Sequence, residues 1–399
     1  MQMTSLKVWK GLFVVAAIAA LAACGDDDGE GNGTQNNGEP QGATATFETY
    51  NVGLARGFVP QAEARVQPVA DAIAQSPADV MCLQEVWLFQ DEQGEWSTGQ
   101  IDALTSGASE SFPYNYFEVT ELGESVSCSQ EEADPLETCV RANCDGVSND
   151  ELSTCALNNC GEELNGLSSP CQECVFGQIG GSIDDILNAC TGDGASEFSY
   201  NGHNGLLLLS RHELRDTEIT SFESTIVQRS ALHAVMTVPE FGDVDVYCTH
   251  LAANLSDVPY PGDAFSGYEE EQAAQIDALL AWIDETSTTG NVVLMGDMNN
   301  GPAKGELDAE FAANYQKFVD AEYASPYIAQ DSPECTFCGT NTLVGGDSNK
   351  AIDHVFLDFT MPYGLLDVAR VYDETVDVGG EQLHLSDHYG VRVTVESQE

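Results

Sequence analysis

The feature that most constrains the fold is a series of short, strongly apolar runs spread over most of the chain. Eight runs occur, at 47–52, 79–87, 205–210, 233–238, 244–251, 291–299, 351–359 and 388–395. Most are apolar at consecutive positions, whereas a strand with one solvated face alternates apolar and polar residues. Apolar residues spaced three and four apart, typical of helices, occur at 63–75 and 269–285. The pattern predicts a layered α/β protein whose strands are buried on both faces by helices and a second layer.

The N-terminal residues are typical of an exported protein. Lys7 and Lys10 precede an apolar run at 11–20, and the residues Leu-Ala-Ala-Cys that end at Cys24 resemble the lipobox of bacterial lipoprotein signal peptides. The alternative is a membrane helix, but the run is too short to span a bilayer. We therefore expect a signal peptide at 1–23 and an acylated Cys24, which would anchor the protein to a membrane in the periplasm or at the cell surface.

A flexible tether is predicted at 24–43, because residues 25–43 are all polar, Gly, Pro or Ala and cannot bury apolar surface. The folded domain would then occupy 44–399. It carries most of a very acidic composition: the chain has 66 acidic and 13 basic residues and a net charge of -53. Such a field repels nucleic acid at low ionic strength, which counts against a nuclease without excluding one.

The cysteines indicate disulfides. The chain has 13 of them, so 12 remain when Cys24 is set aside, and thiols outside the cytoplasm pair by default. Eight lie between Cys128 and Cys190, which predicts a disulfide-stapled insertion at 124–196. Cys171 and Cys174 have the spacing of zinc ligands, but no histidine lies near them, so disulfides are favoured.

Four cysteines lie outside that segment. Cys335 and Cys338 are expected to close a small loop. Cys82 and Cys248 lie on neighbouring predicted strands, where they either pair with each other or remain buried thiols.

The predicted strands carry polar residues at their ends, where ligands collect in open α/β structures. Asn51, Glu85, His250, Asp297 with Asn299, and Asp353 end successive runs, and Asp387 with His388 opens the last. The series Tyr-Asn-Val at 50–52, Leu-Gln-Glu-Val at 83–86, Thr-His-Leu at 249–251, Gly-Asp-Met-Asn at 296–299, Ile-Asp-His at 352–354 and Ser-Asp-His at 386–388 resembles the endonuclease/exonuclease/phosphatase superfamily. The resemblance implies a four-layer α/β/β/α sandwich with two mixed β-sheets.

The resemblance also implies roles for these residues in hydrolysing a phosphate ester. Glu85 would be the main ligand of a Mg²⁺ ion, with Asn51 and Asp387 in support; Mn²⁺ or Ca²⁺ are alternative cations. His388 would be the general base, held by Asp353, and Asp297 would orient the attacking water. Asn299 would donate to a phosphate oxygen, and His250 would contact the phosphoryl group as a cationic donor. The histidines at 203, 212, 233, 354 and 384 are expected to be structural or on the surface.

The catalytic set does not choose the substrate. A lipid or small-molecule phosphodiester is favoured over nucleic acid because cationic tracts are absent from the sequence, and the contexts of His250 and Asp387 resemble bacterial sphingomyelinases. An extracellular deoxyribonuclease-like enzyme is the first alternative. A catalytically inactive binding protein on the cell surface is the second, and no protein partner can be inferred. Tyr260, Phe265 and Tyr268 either rest at a lipid interface or pack within an ordinary surface loop.

Overall fold

The computed structural model describes residues 42–398, apart from gaps at 57, 91–95, 119, 121–124, 148, 179–180, 193–194, 197, 256–257 and 262–263. The predicted signal peptide, and all of the predicted tether except its last two residues, lie outside the described residues. Over the part of the chain that is described, we find no helix with the length and hydrophobicity needed to cross a membrane.

The helices and strands are numbered in chain order. The helices are α1 (Ala62–Ile73), α2 (Gly99–Gly107), α3 (Gln130–Asn143), α4 (Asn149–Asn159), α5 (Gly161–Asn165), α6 (Ser169–Gly177), α7 (Ile183–Thr191), α8 (Tyr268–Thr286), α9 (Ala312–Asp320) and α10 (Pro326–Ala329). The strands are β1 (Thr44–Asn51), β2 (Val80–Gln84), β3 (Phe89–Gln90), β4 (Trp96–Ser97), β5 (Tyr114–Tyr116), β6 (Ser125–Val126), β7 (Ala195–Ser196), β8 (Leu207–Ser210), β9 (Leu214–Ser221), β10 (Ser230–Val238), β11 (Gly242–His250), β12 (Asn291–Asp297), β13 (Phe337–Cys338), β14 (Asn349–Lys350), β15 (Asp353–Phe359), β16 (Tyr363–Val371), β17 (Thr375–Val378), β18 (Glu381–His384) and β19 (Gly390–Ser397).

Two mixed sheets form the centre of the fold. One has six strands in the order β16-β19-β1-β2-β8-β5, and the other has five in the order β15-β12-β11-β10-β9. β1 runs parallel to β2 and β11 runs parallel to β12, while the other neighbours are antiparallel. The predicted pair of mixed sheets is confirmed.

Alternate residues of β2 belong to two different hydrophobic cores. Val80 and Cys82 lie in the larger core, which also includes the five-stranded sheet, α8 and α9. Met81 and Leu83 lie in a second core with α1 and α2. Because successive side chains of a strand point to opposite faces, burial on both faces requires the continuous apolar runs seen in the sequence. The resulting order of layers is the predicted α/β/β/α sandwich.

The predicted helices at 63–75 and 269–285 correspond to α1 and α8. The eight predicted strands are all present, but β9 and β16 were not predicted. Both lie at a sheet edge and are largely exposed, so their sequences mix polar and apolar residues without a regular period. The sequence pattern therefore identified the buried strands and the edge strand β15, but it missed the other three edges of the two large sheets, β5, β9 and β16.

All 12 cysteines outside the N-terminal segment pair. The disulfides are Cys82–Cys248, Cys128–Cys171, Cys139–Cys160, Cys144–Cys155, Cys174–Cys190 and Cys335–Cys338. The alternative of a zinc site at Cys171 and Cys174 is wrong, because each is bonded to a different distant cysteine. Cys82 and Cys248 do pair, and their bond joins β2 of one sheet to β11 of the other.

The cysteine-rich segment is helical. Its helices α3 to α7 lie between β6 and β7, which pair with each other, and they enclose a small core that includes Leu136, Val140 and Leu164. A core of this size gives little stability alone, so four disulfides within the segment compensate. Phe176 of α6 packs against the cluster around Trp87 in the main domain. The insertion therefore rests against the sandwich.

Candidate active site

Three of the predicted site residues lie side by side on neighbouring strands. His250 at the end of β11 is paired in register with Asp297 at the end of β12, and Asp297 is paired with Asp353 on β15. The prediction that Asp353 ends its strand is wrong: it begins β15. Since β15 is antiparallel to β12, the start of one strand lies beside the end of the other, and Asp353 still reaches the same edge.

Asn51 connects this row to the six-stranded sheet. Its side-chain Nδ2 donates to Glu85 Oε1 and to Asp297 Oδ2, both at 3.0 Å. Its Oδ1 accepts a hydrogen bond from the backbone N–H of Gly53 at 3.0 Å. Asn51 is fully buried, so these bonds fix its orientation. One lone pair of Oδ1 remains for a further partner.

Glu85 is held in a costly conformation. It directly follows β2 with a φ of 61°, in the left-handed region that costs a residue with a side chain about 1–2 kcal/mol. Its Oε2 is buried and has no hydrogen-bond partner among the described residues. Burial, and then the nearby charge of Asp387, raise the pKa of Glu85. An orphaned carboxylate oxygen beside a second carboxylate is the arrangement that a bound divalent cation would stabilise.

Asp387 is positioned by a close approach of two backbone segments. Ser386 Oγ donates to Asp387 Oδ1 at 3.1 Å. Gly53 has a φ of 54°, and a Cβ at this position would lie 2.4 Å from Asp387 Oδ1. Only glycine leaves room for the carboxylate here.

His388 lies between two carboxylates. Its Nδ1 is 3.0 Å from Asp353 Oδ2 and 3.7 Å from Asp297 Oδ2. Burial alone lowers the pKa of His388, but the charges of Asp353 and Asp297 outweigh burial and raise it well above the usual value. Burial and the charge of Asp353 raise the pKa of Asp297 to about 7. The three side chains therefore form a buried group that can take up or release a proton near neutral pH.

His250 does not have the predicted cationic form. Its Nε2 lies 3.5 Å from Asp297 Oδ2, but burial, followed by the positive charge of Arg229, lowers the pKa of His250 well below its usual value. The expectation of a cationic donor is wrong because burial and the positive charges of Arg229 and His388 all act to lower the pKa of His250. A neutral imidazole still donates one hydrogen bond.

Asn299 has a left-handed φ of 50°, which asparagine tolerates better than most residues. Its backbone N–H donates to Asp297 Oδ1 at 2.9 Å, and its Nδ2 donates to the carbonyl of Leu251 at 3.0 Å. The second amide hydrogen is available to a ligand.

These groups line a cleft of about 320 Å³, which includes Glu85, His250, Asp297, Asn299, Asp387 and His388. Arg229 was not among the predicted site residues, yet it lines the same cleft, and its Nη1 is buried without a hydrogen bond in the described structure. Arg229 directly precedes β10. Because β10 is antiparallel to β11, this position lies beside His250. The signal that could have found it is an arginine near the start of a strand that pairs antiparallel with the strand ending at His250.

Two groups in the site could hold a divalent cation. One is Glu85 with Asn51 and Asp387, which fits because of the orphaned Oε2. The other is Asp297, Asp353 and His388, whose ligand atoms lie within 4.8 Å of one another. Oxygen-rich sets suit Mg²⁺, Mn²⁺ or Ca²⁺, whereas the second set includes an imidazole nitrogen.

The remaining five histidines lie outside the described lining of the catalytic cleft. His233 contacts Asp245 and His212 contacts Asp79, each at 2.9 Å, and His354 bonds to the carbonyl of Asn300 at 2.9 Å. Neither these three nor the histidines at 203 and 384 line the catalytic cleft among the described residues.

The loop aromatics also pack within the protein. Tyr260 and Tyr268 lie edge to face with ring centroids 5.0 Å apart, and both belong to the cluster around Trp87. Their packing agrees with an ordinary surface loop rather than a lipid-inserted one.

Paired mixed sheets with carboxylate, amide and imidazole groups at one end are typical of phosphoester hydrolases with the deoxyribonuclease I-like fold. Residues 49–388 match the model of the Endonuclease/Exonuclease/phosphatase family, and the chain belongs to that family. Members of the family are in general phosphoester hydrolases that use a divalent metal.

Solved structures with the same fold differ widely in sequence. An endonuclease/exonuclease/phosphatase from Beutenbergia cavernae is 15% identical with a TM-score of 0.51, over 89% of this chain and 72% of that one. A humanized TDP2 from D. rerio is 14% identical with a TM-score of 0.51, over 89% and 99% of the two chains. Sphingomyelinase C from Streptomyces griseocarneus is 17% identical with a TM-score of 0.49, over 88% and 99%. No curated protein matches the chain.

Proposed function

We propose that this chain is an exported phosphodiesterase, anchored through an acylated Cys24, that uses Mg²⁺ and general-base activation of water. One observation carries the proposal: the 3.0 Å contact between His388 Nδ1 and Asp353 Oδ2, at the cleft that Glu85 lines with its buried, unpartnered Oε2. Six disulfides in the described residues suit a protein that folds outside the reducing cytoplasm.

His388 is the general base in this mechanism, and it acts in the state in which the buried group of His388, Asp297 and Asp353 has released a proton. Asp353 accepts the hydrogen of Nδ1 and thereby fixes the tautomer in which Nε2 takes a proton from water. Asp297 orients the water and stabilises the imidazolium that forms. Burial and the charge of Asp353 raise the pKa of Asp297 to about 7, so Asp297 can share a proton with His388 near neutral pH.

Glu85, Asn51 and Asp387 would hold the cation, with Mn²⁺ or Ca²⁺ as alternatives to Mg²⁺. When bound, the cation supplies Lewis-acid neutralisation of a phosphate oxygen. The carboxylate of Glu85 is kept in place by its bond to Asn51, so little reorganisation is required.

The chain's own donors bind the remaining phosphate oxygens. Arg229 brings the main buried positive charge to the cleft, with its Nη1 free to donate. Asn299 and neutral His250 donate further hydrogen bonds as negative charge builds on the phosphoryl group. Donors fixed by burial stabilise this charge more strongly than mobile water does.

A lipid or small-molecule phosphodiester is the proposed substrate class. Arg229 and Lys350 are the basic residues of the described cleft lining, and Lys350 is paired with Glu310. Two cations in a protein of net charge -53 do not provide the extended basic track that a long nucleic acid requires.

The test compares turnover of sphingomyelin vesicles, plasmid DNA and bis-p-nitrophenyl phosphate by the full-length protein, in Mg²⁺ and in EDTA. Glu85→Ala and His388→Ala should each abolish turnover, and His212→Ala, a partnered histidine outside the cleft, serves as the control. DNA cleavage alone would make the protein a nuclease. Folded protein that turns over none of the three would point to an inactive binding protein.

A further inference from the structure

A second cavity lies beside the catalytic cleft, between the cysteine-rich insertion and the sandwich. We name it the apolar groove; it has a volume of about 90 Å³, and its walls include Phe58, Ala156, Leu157, Phe176, Ile186 and Leu255. Among the described residues, Ser153 is the sole polar side chain of its lining. In a chain with 66 acidic residues, this uncharged lining differs sharply from the acidic composition of the chain as a whole.

The apolar groove is continuous with the catalytic cleft. Phe58 and Leu255 line both cavities. Phe58 is 51% exposed, which is unusual for a phenylalanine and places its ring where the two cavities meet. A molecule whose phosphate occupies the cleft can therefore extend into the groove without crossing a charged surface.

The insertion supplies one wall of the groove. Leu157 on α4, Phe176 on α6 and Ile186 on α7 are only partly buried, whereas Leu136, Val140 and Leu164 of the same core are buried. The Cys174–Cys190 disulfide joins α6 to α7, and Cys155 of α4 is bonded to Cys144 at the end of α3. A wall fixed in this way keeps its apolar surface open to solvent rather than collapsing.

The dimensions favour one type of occupant. A cavity of about 90 Å³ is narrow and suits several methylene groups of a single chain. A stable interface with another protein or a second copy needs about 800 Å² on each partner, far more than this groove offers. We infer that the apolar groove binds a hydrocarbon tail of the phosphodiester substrate, an inference that rests on the proposed function and makes the insertion a determinant of substrate specificity.

The first test uses p-nitrophenyl phosphodiesters whose second ester group is methyl, butyl or octyl. The full-length protein is assayed with each ester at concentrations below the critical micelle concentration of the ester. Each fully buried methylene improves binding by about fourfold, so burial of only two methylenes of the octyl ester should already raise its kcat/KM more than about tenfold above that of the methyl ester. Ala156→Trp, which fills the groove, should bring the octyl-to-methyl ratio close to one. Leu157→Gln is a second, smaller change for use if Ala156→Trp does not fold, and it should also lower the octyl-to-methyl ratio.

Thr154→Trp is the matched control, because Thr154 lies on the same helix with its side chain exposed and outside the groove lining. It should keep the wild-type ratio. Equal turnover of all esters, or a ratio that Ala156→Trp leaves unchanged, would overturn the groove inference while the proposed function stands.

A binding measurement separates the remaining outcomes. Calorimetric titration with n-octyl phosphate and with methyl phosphate does not depend on turnover. If no ester is hydrolysed but n-octyl phosphate binds more tightly than methyl phosphate, and Ala156→Trp removes the difference, the proposed function fails and the groove retains its assignment as a hydrocarbon site. If neither the hydrolysis nor the binding depends on chain length, the groove does not bind tails.

Discussion

Asp297 and Asp353 face each other across two antiparallel strands, and both direct a carboxylate oxygen towards Nδ1 of His388. Neither is close to the other in sequence. The pairing of β12 with β15 brings two like charges to one imidazole, and the site balances them by raising the pKa of Asp297 to about 7 through burial and the charge of Asp353.

Replacement of Asp353 tests the proposed dyad. Asp353→Asn keeps the shape but removes the charge that holds the His388 tautomer. We expect kcat with bis-p-nitrophenyl phosphate to fall about 10²- to 10⁴-fold, with KM changed much less. Asp79→Asn, at the His212 contact outside the cleft, should retain activity. Retention of wild-type kcat by Asp353→Asn would remove His388 from the role of base.

Replacement of Glu85 tests the cation site through stability. In EDTA, Glu85→Gln should unfold at a higher temperature than the wild type, because a buried carboxylate beside Asp387 is removed. In Mg²⁺, wild-type protein should be stabilised by about 2.7 kcal/mol at a concentration 100 times Kd, and Glu85→Gln should not respond. Glu285→Gln, an exposed change at the end of α8, should respond to Mg²⁺ as the wild type does. An identical response in Glu85→Gln would place the cation elsewhere.

Replacement of Arg229 tests phosphate binding. Arg229→Gln removes a buried guanidinium group whose Nη1 lacks a protein partner. The substitution should therefore weaken the interaction with the substrate phosphate more than it lowers the stability of the fold. A hydrogen bond to a charged group contributes about 1.5–3 kcal/mol, which corresponds to a decrease in kcat/KM of about 10- to 100-fold. Arg215→Gln, which removes a surface pair with Asp243, is the control. Unchanged kcat/KM in Arg229→Gln would contradict this role.

Replacement of Gly53 tests the close approach to Asp387. Gly53→Ala places a methyl group 2.4 Å from the carboxylate, and its φ of 54° adds backbone strain. We expect the free energy of unfolding to decrease by about 2–4 kcal/mol and activity to fall with it. Gly146→Ala shares a positive φ of 80° but meets no atom within 4 Å, so it should cost only about 1 kcal/mol. If urea unfolding shows the same loss of stability in both variants, backbone strain alone, and not contact with Asp387, explains the need for glycine at position 53.

Asp245 predicts a pH dependence of stability away from the cleft. Burial alone raises the pKa of Asp245, but hydrogen bonds from His233 and Thr289 outweigh it and lower the pKa to about 2. A depressed carboxyl pKa stabilises the fold above the unfolded value near 4, and that stability is lost as the pH falls towards 2. Asp245→Asn should therefore be less stable than the wild type at pH 7 by about 1–2 kcal/mol, with the gap closing between about pH 4 and pH 2. A gap that stays constant over this range in urea unfolding would contradict the assignment.

Patterns along the chain are enough to identify the strands inside the sandwich and the residues at their ends. A strand buried on both faces needs a continuous apolar run, and such runs occur at eight places from 47–52 to 388–395. Each predicted site residue lies in or beside the cleft, because a polar group after a buried strand is costly unless it has a function or a partner.

The properties that depend on strands distant in sequence follow from the three-dimensional structure. Arg229 belongs to the cleft because β10 pairs antiparallel with β11, and the pKa of His250 is lowered by burial and by the neighbouring charges of Arg229 and His388. The apolar groove arises where the insertion rests against the sandwich, and neither segment encodes it alone. Charge state, desolvation and cavity shape are set by neighbours in space, and a sequence pattern records them only where those neighbours are also neighbours along the chain.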